Sequence, residues 1–281
     1  MPHALELISG KVTAPGGTLT SLTMATGNSS TVRNADLSSI VALIGTWGFN
    51  ATAGIARIRS PKLHDNVQGI RFRIPANDPG PLFVPGTWQR LIPQDTLTLE
   101  LSGGGGAEID QLQLLIYYSD LPGNAARFIS PQDLNAKTVN VWTTEVPITP
   151  GATGGYSGQV AINSAFDNFK ANTDYALVGY EVDTACAAVR FTSPDFSNLG
   201  VGGPGLVAGA AGQTAARWVT ARWFYHLSQQ LGIPLIPVFN SANKFGTLVD
   251  IAQNNTGSST NVTAILHELA NANTTPNPAL K

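Results

Sequence analysis

His267 and Glu268 stand side by side, the first two residues of the His-Glu-x-x-His pattern. In that pattern two histidines one helical turn apart bind zinc and the glutamate acts as general base. Asn271 occupies the place of the second histidine, so the ligand pair is missing and His267 reads as a strand or surface residue. Gly155-Tyr156-Ser157-Gly158 opens like the sharp turn that presents a nucleophilic serine. Gln159 stands where its last glycine belongs, however, and no strand–turn–helix pattern surrounds it. Residues 103–106 are four consecutive glycines, but a phosphate-cradling loop ends in Lys and Ser or Thr with a helix behind it. Here Ala107-Glu108 follow, which reads as a flexible loop between two strands. Cys186, the one cysteine, sits in an apolar stretch without local signs of thiol activation and reads as a buried structural thiol. No Asp-x-Asp-x-Asp-Gly calcium loop occurs, and the other histidines, His3, His64 and His226, are scattered. The expectation is a chain that is not an enzyme, with no catalytic residues and no cofactor.

One group of charged residues has a definite geometry. Arg57 and Arg59 alternate along one β-type run, and Arg71 and Arg73 along another about a dozen residues later. With a side-chain period of 2, each pair lies on one face of its strand. A hairpin pairing of the two runs puts four guanidinium groups on one surface. That surface is a candidate basic interface for acidic lipid headgroups, nucleic acid or an acidic neighbouring subunit, against the plainer reading of a solvated or inter-subunit face. Arg217 and Arg222 are similarly ambiguous, and Trp218, Trp223, Phe224 and Tyr225 read as packing or interface.

The elements that must carry these residues are β-rich. Gly (29) and Pro (18) punctuate the whole chain of 281 residues. Between them lie short β-type runs at 38–45, 54–59, 68–74, 96–101, 110–118, 138–146, 175–182 and 187–192, the spacing of a sandwich or barrel. Residues 213–231 contain no Gly or Pro and stop at Gly232, which predicts a helix with a glycine C-cap. Only 12% of residues are charged against a usual ~25%, and the net charge is −2. Near-neutral charge argues against binding that rests on general attraction to nucleic-acid phosphates. Depleted charge is a property of buried subunit interfaces. One cysteine excludes a disulfide scaffold, and no apolar run reaches membrane-spanning length. The first residues lack the basic start and apolar core of a secretory signal, and are expected to belong to a cytoplasmic protein.

An internal repeat sets the domain organisation. Ala42-Leu43-Ile44-Gly45 returns 134 residues later as Ala176-Leu177-Val178-Gly179, and Arg57-Ile58-Arg59-Ser60-Pro61 returns 133 later as Arg190-Phe191-Thr192-Ser193-Pro194. Asn66 and Asn198, Leu91-Ile92-Pro93 and Leu235-Ile236-Pro237, and Thr96-Leu97 and Thr247-Leu248 follow in the same order, with a drifting offset. A period of this size is a whole domain, since solenoid units are ~20–50 residues. The expectation is an N-terminal arm over 1–20, a first β-domain over 21–135, a second over 136–270 and a C-terminal arm over 271–281. The second copy is expected to carry a Gly-rich insertion at 200–212 and the helix after it.

These paired segments, with the low charge and the absence of a catalytic motif, resemble the double jelly-roll major capsid proteins of tailless icosahedral bacteriophages (corticovirus-, finnlakevirus- and tectivirus-like). The resemblance implies an all-β fold of two tandem eight-stranded jelly-roll sandwiches, here with a short helix in the second. It implies a structural coat protein without catalysis that forms homotrimers, which pack with neighbouring capsomers into pseudo-hexagonal tiles of an icosahedral shell. It further implies location in the virion after assembly in the host cytoplasm, and contact with other virion proteins and an internal membrane. Structural calcium at subunit contacts is implied by the resemblance alone, and no sequence-specific nucleic acid is expected. Alternatives are a minor or vertex capsid component and a tandem β-sandwich carbohydrate- or ligand-binding module using Trp47, Trp88 or Trp142 as exposed stacking residues. A third is a cupin-like enzyme, which needs His64, His226 and His267 to converge.

Overall fold

The structure is a computed structural model that describes residues 3–25, 27–35, 39–50, 52–64, 67–76, 89–105, 109–123, 126–149, 151, 155–156, 158–184, 186–205, 219–252 and 259–270. The chain begins with a strand, β1 (Ala4–Thr13), followed by β2 (Thr20–Ser21), β3 (Thr23–Met24), β4 (Val41–Phe49), β5 (Gly54–Arg59), β6 (Ile70–Ile74), β7 (Gln89–Arg90), β8 (Thr98–Ser102) and β9 (Ile109–Tyr118). Two antiparallel sheets result. Sheet I has the order β2-β8-β5-β6 and sheet II the order β3-β1-β9-β4-β7. The remainder contains β10 (Phe128–Ile129), helix α1 (Pro131–Lys137), β11 (Thr138–Ile148), β12 (Val160–Ala161), β13 (Asp174–Val182), β14 (Ala188–Thr192), β15 (Val201–Pro204), helix α2 (Trp223–Leu231), β16 (Ile236–Asn240), β17 (Leu248–Ala252) and β18 (Thr260–Leu269). These form sheet III, β12-β17-β14-β15, and sheet IV, β10-β16-β13-β18-β11.

The two halves have one topology. Taking β2 and β3 as a single strand that passes from sheet I to sheet II, and setting aside the two-residue β10 at the edge of sheet IV, each half has eight strand positions. In each, the first, eighth, third and sixth strands form one sheet, and the second, seventh, fourth and fifth form the other. That alternation of strands between two facing sheets is the jelly roll. The fold is therefore all-β, two tandem eight-stranded jelly-roll sandwiches.

The arm expected over residues 1–20 is not free: Ala4–Thr13 pairs along its length with β9. The expected division between residues 135 and 136 falls inside α1, and β10 already pairs with β16 of the second sandwich. The C-terminal arm, 271–281, lies outside the described residues.

The burial of sheet II accounts for the absence of a strand pattern in β1. Its side chains are buried on both faces, so β1 has no polar side to alternate with. Ala4, Ile8, Val41, Leu43, Leu112 and Leu114 point into the first sandwich. Leu5, Leu7, Ala42, Ile44, Trp47 and Phe49 join the core of the second. The sheets thus stack in the order I, II, III, IV, with sheet II against sheet III. The contact is close: the Leu7 N–H donates to the Gly200 carbonyl at 2.7 Å, and the Trp47 indole N–H donates to the Ala187 carbonyl at 3.0 Å.

A β-bulge keeps the apolar face of β4 in phase. Its register with β9 shifts between Leu43 and Gly45, so Ala42 and Ile44 before it share a face with Trp47 and Phe49 after it. The same shift occurs in β13 between Leu177 and Gly179. The repeated Ala-Leu-Ile/Val-Gly therefore encodes one bulge twice. The Arg57 and Arg190 segments also fall on equivalent strands, β5 and β14, and Asn66 lies outside the described residues.

Two other pairings of the repeat are displaced. Ala42 faces Arg90 but Ala176 faces Val238, so Leu91-Ile92-Pro93 and Leu235-Ile236-Pro237 are four residues out of step. Arg57 faces Glu100 and Arg190 faces Asp250, which puts Thr96-Leu97 and Thr247-Leu248 out by one.

The Gly-rich stretch expected as an insertion contains a strand, β15. Its glycines permit close approach: a Cβ on Gly202 would run into the Val189 backbone and the Leu7 side chain, and one on Gly203 into Tyr180 and Trp223. The helix expected over 213–231 is α2 from Trp223, with Gly232 in the left-handed conformation as its C-cap. Residues 213–218, Trp218 and Arg217 among them, lie outside the described residues. Trp223 and Phe224 are buried beside sheet III and β13, as packing residues. Helix α2 packs along β13 and β16. Among the described residues no helix is long and apolar enough to cross a membrane.

Candidate assembly surfaces

Sheet I places the four arginines together. β5 and β6 are an antiparallel pair in which Arg57 faces Arg71 and Ile55 faces Arg73. Alternation along both strands puts Arg57, Arg59, Arg71 and Arg73 on the outer side, while Ala56, Ile58 and Ile74 enter the core. Arg71 and Arg73 are exposed and form no ion pair among the described residues.

Sequence reasoning missed the counter-charge on the same face. Glu100, from β8, lies opposite Arg57 and is ion-paired with both Arg57 and Arg59, the latter at 2.9 Å. Burial pushes the Glu100 carboxyl up, but the hydrogen bonds and charges of the two arginines outweigh it and hold it below the usual carboxylate range. The face is thus four arginines with one embedded glutamate.

The equivalent face of the second sandwich has a different fate. Arg190 and Asp250 repeat the Arg57–Glu100 pairing, 3.6 Å apart, but they are buried where sheet III meets sheet II. Tyr156 inserts between the sheets. Its ring lies under the Arg190 guanidinium at 3.8 Å, and the Ser9 hydroxyl donates to its oxygen at 2.8 Å. Burial here raises the Asp250 carboxyl above its ordinary value despite Arg190. The same cross-strand ion pair is therefore a surface feature in one copy and a contact feature in the other.

On sheet II the residues that meet this region lie in one row. Ser9 on β1, Gln113 on β9 and Trp47 on β4 are in register across three adjacent strands. On sheet IV the corresponding row is Glu145 on β11, Thr263 on β18 and Glu181 on β13. Glu145 is exposed, Glu181 and Thr263 are half-buried, and neither glutamate forms an ion pair among the described residues. Asp183, one step beyond Glu181, binds the Asn261 amide through its carboxylate at 2.8 Å and adds a third negative charge.

The remaining candidates separate in space. His267 and Glu268 lie on β18, where consecutive side chains point to opposite sides. His267 meets Thr138 at 3.0 Å on one side, while Glu268 is buried and accepts from Lys170 at 2.7 Å. His64 closes the turn after β5 and His226 sits on α2. No group of three His, Cys, Asp or Glu able to hold a metal occurs among the described residues. Cys186 is fully buried just before β14. Trp47, considered as an exposed stacking residue, is 0% exposed, Trp142 packs edge-on against Phe169 and Tyr175, and Trp88 lies outside the described residues.

No family model matches the chain, and no curated protein matches it. Among solved structures it is similar to the PBSX exported protein XepA, at 11% identity and a TM-score of 0.26, over 93% of this chain and 86% of that one. It is also similar to the STIV MCP, at 9% identity and a TM-score of 0.24 over 96% and 97% of the two chains. The major capsid protein P2 from bacteriophage PM2 is a third, at 9% identity and a TM-score of 0.21 over 98% and 100%.

Proposed function

We propose that this chain is a structural coat protein that performs no reaction and works by assembly into a virus shell. The observation that carries the reading is the tandem itself. Two sandwiches of one strand order are stacked face to face in a single chain, and an outer sheet is left facing outward at each end of the stack. Such a stack is continued by further copies of itself. Three chains supply six similar sandwiches, enough to surround a threefold axis as a pseudo-hexagonal tile, and such tiles cover an icosahedral shell. Closed rings of this kind are the usual state of homo-oligomers. A charged content of 12% suits a protein that buries much of its surface against neighbours. Its partners are then further copies and other virion proteins, and its place is the virion after assembly in the host cytoplasm.

The test is the solution mass of the purified protein, by light scattering over a range of concentrations, with imaging for hexagonal arrays. The expected result is a species near three times 29.4 kDa, or larger closed particles. A concentration-independent 29.4 kDa monomer overturns the reading and favours a tandem-sandwich binding module.

A further inference from the structure

The contact between sheets II and III joins two surfaces that each occur twice in the chain. One is the outer face of a sheet I or III type, centred on the Arg–carboxylate pair: Arg57 with Glu100, or Arg190 with Asp250. The other is the outer face of a sheet II or IV type, centred on a row across three strands: Ser9–Gln113–Trp47, or Glu145–Thr263–Glu181. Within the chain the Ser9–Gln113–Trp47 row is seated on the Arg190 surface through Tyr156 and the Ala187 carbonyl, with the neighbouring Leu7 N–H on the Gly200 carbonyl. The other two members of the set, the Arg57 surface and the Glu145–Thr263–Glu181 row, face outward at opposite ends of the stack.

We propose that these two outer faces bind one another between copies, repeating the internal contact: the Glu145–Thr263–Glu181 row of one chain sits on the Arg57, Arg59, Arg71 and Arg73 face of the next. The inference rests on the assembly reading above and names the surfaces that perform it. Two observations single out a second copy as the occupant. The first is topological, since the register that seats Trp47 on Ala187 and Ser9, through Tyr156, on Arg190 would place Glu181 and Glu145 over the matching β5 surface around Arg57. The second is charge. The basic face carries four arginines and Glu100, while the acidic row with Asp183 carries three carboxylates, so the two come close to neutrality when joined. The internal contact has no such need and uses Trp47 and Ser9 at the positions where the outward row has Glu181 and Glu145. Each chain offers one face of each kind, so the contact is head-to-tail and closes into a ring when its rotation allows.

The experiment uses the full-length chain and light scattering. Three variants are compared with the wild type: Glu145→Arg with Glu181→Arg, Arg71→Glu with Arg73→Glu, and the four changes combined. Arg71, Arg73 and Glu145 are exposed and Glu181 is half-buried, so the monomer's core is untouched, and circular dichroism with thermal melting verifies this. Each double reversal is expected to raise the dissociation concentration at least ~100-fold, because like charges facing across a contact cost several kcal/mol. The combined variant is expected to recover the wild-type mass, an outcome that a misfolded surface would not give. A wild type that assembles while both double variants keep its mass overturns the contact alone. Double variants that dissociate without recovery in the combined chain also overturn the pairing. A monomeric wild type overturns the contact and the assembly reading together.

Discussion

Replacing Trp47 by alanine tests the claim that sheets II and III are one packed interface. The indole is fully buried on the outer face of sheet II, meets Trp223 edge-on at a centroid distance of 6.1 Å and donates to the Ala187 carbonyl at 3.0 Å. Truncating a buried Trp to Ala costs about 3–5 kcal/mol through lost transfer energy and the cavity left behind. The Ala187 carbonyl keeps a second donor, the Gly205 N–H at 3.1 Å, so the lost hydrogen bond adds only about 1 kcal/mol. The total is about 5 kcal/mol, comparable with the whole stability of many domains. The core between sheets I and II does not contain Trp47. The first sandwich therefore keeps its own packing, and the loss falls on the coupling between halves. Urea unfolding followed by far-ultraviolet circular dichroism is expected to change from one transition to two, with the first midpoint sharply lowered. Trp47→Phe, which keeps most of the ring and loses the N–H, is expected to cost about 1–2 kcal/mol with one transition retained. A single transition in the alanine variant, displaced by less than ~1.5 kcal/mol, would refute the reasoning, because no well-packed buried Trp is so cheaply removed.

Gly179→Ala is expected to cost about 1–3 kcal/mol in urea unfolding, since its Cβ would meet the carbonyl oxygens of Thr220 and Ala221, backbone that cannot step aside. Gly17→Ala, where nothing lies within contact distance, is expected to change stability by less than ~0.5 kcal/mol, and equal effects at the two sites would contradict the packing described. Burial, with Arg222 nearby, holds the His267 imidazole below its ordinary value, so the unfolded chain takes up that proton first as pH falls. Stability contributed by neutral His267 is therefore full above about pH 6.5, is lost as pH falls below it, and levels off beneath the folded value. The difference in urea midpoint between pH 7.5 and 5.5 is expected to shrink in His267→Gln, and an unchanged difference would exclude His267 as a contributor.

The sequence made the repeated elements legible where one local signal sufficed. The repeat in β4 and β13 is legible because it is written in four adjacent residues, although the bulge it encodes shows only in the strand registers, and the arginine hairpin is legible because its residues alternate over two short runs. β1 is buried on both faces and shows no polar alternation, so its sequence reads as an arm. Val201-Gly202-Gly203-Pro204 has the composition of a loop and so reads as an insertion rather than as β15, although Gly202 serves the contact with Leu7 of sheet II and Gly203 the packing against Tyr180 and Trp223. The Glu145–Thr263–Glu181 row had no local signal at all. Its members come from three strands far apart in sequence, and only the pairing of β11 and β13 on either side of β18 aligns them. Glu100 has no local signal for the same reason, since β8 reaches β5 across 43 residues of chain.

The difference between Trp47 and Glu181 at matching positions has a consequence for the order of events in the life of the molecule. A tryptophan sealed between sheets commits the two sandwiches to each other as the chain folds, and that junction has no reason to open again. Carboxylates at the matching position keep the far end of the stack hydrated, so a newly made chain can finish folding and diffuse before it meets another. On the proposed contact, two equivalent surfaces serve as a permanent weld in one copy and a reversible coupling, responsive to salt, in the other.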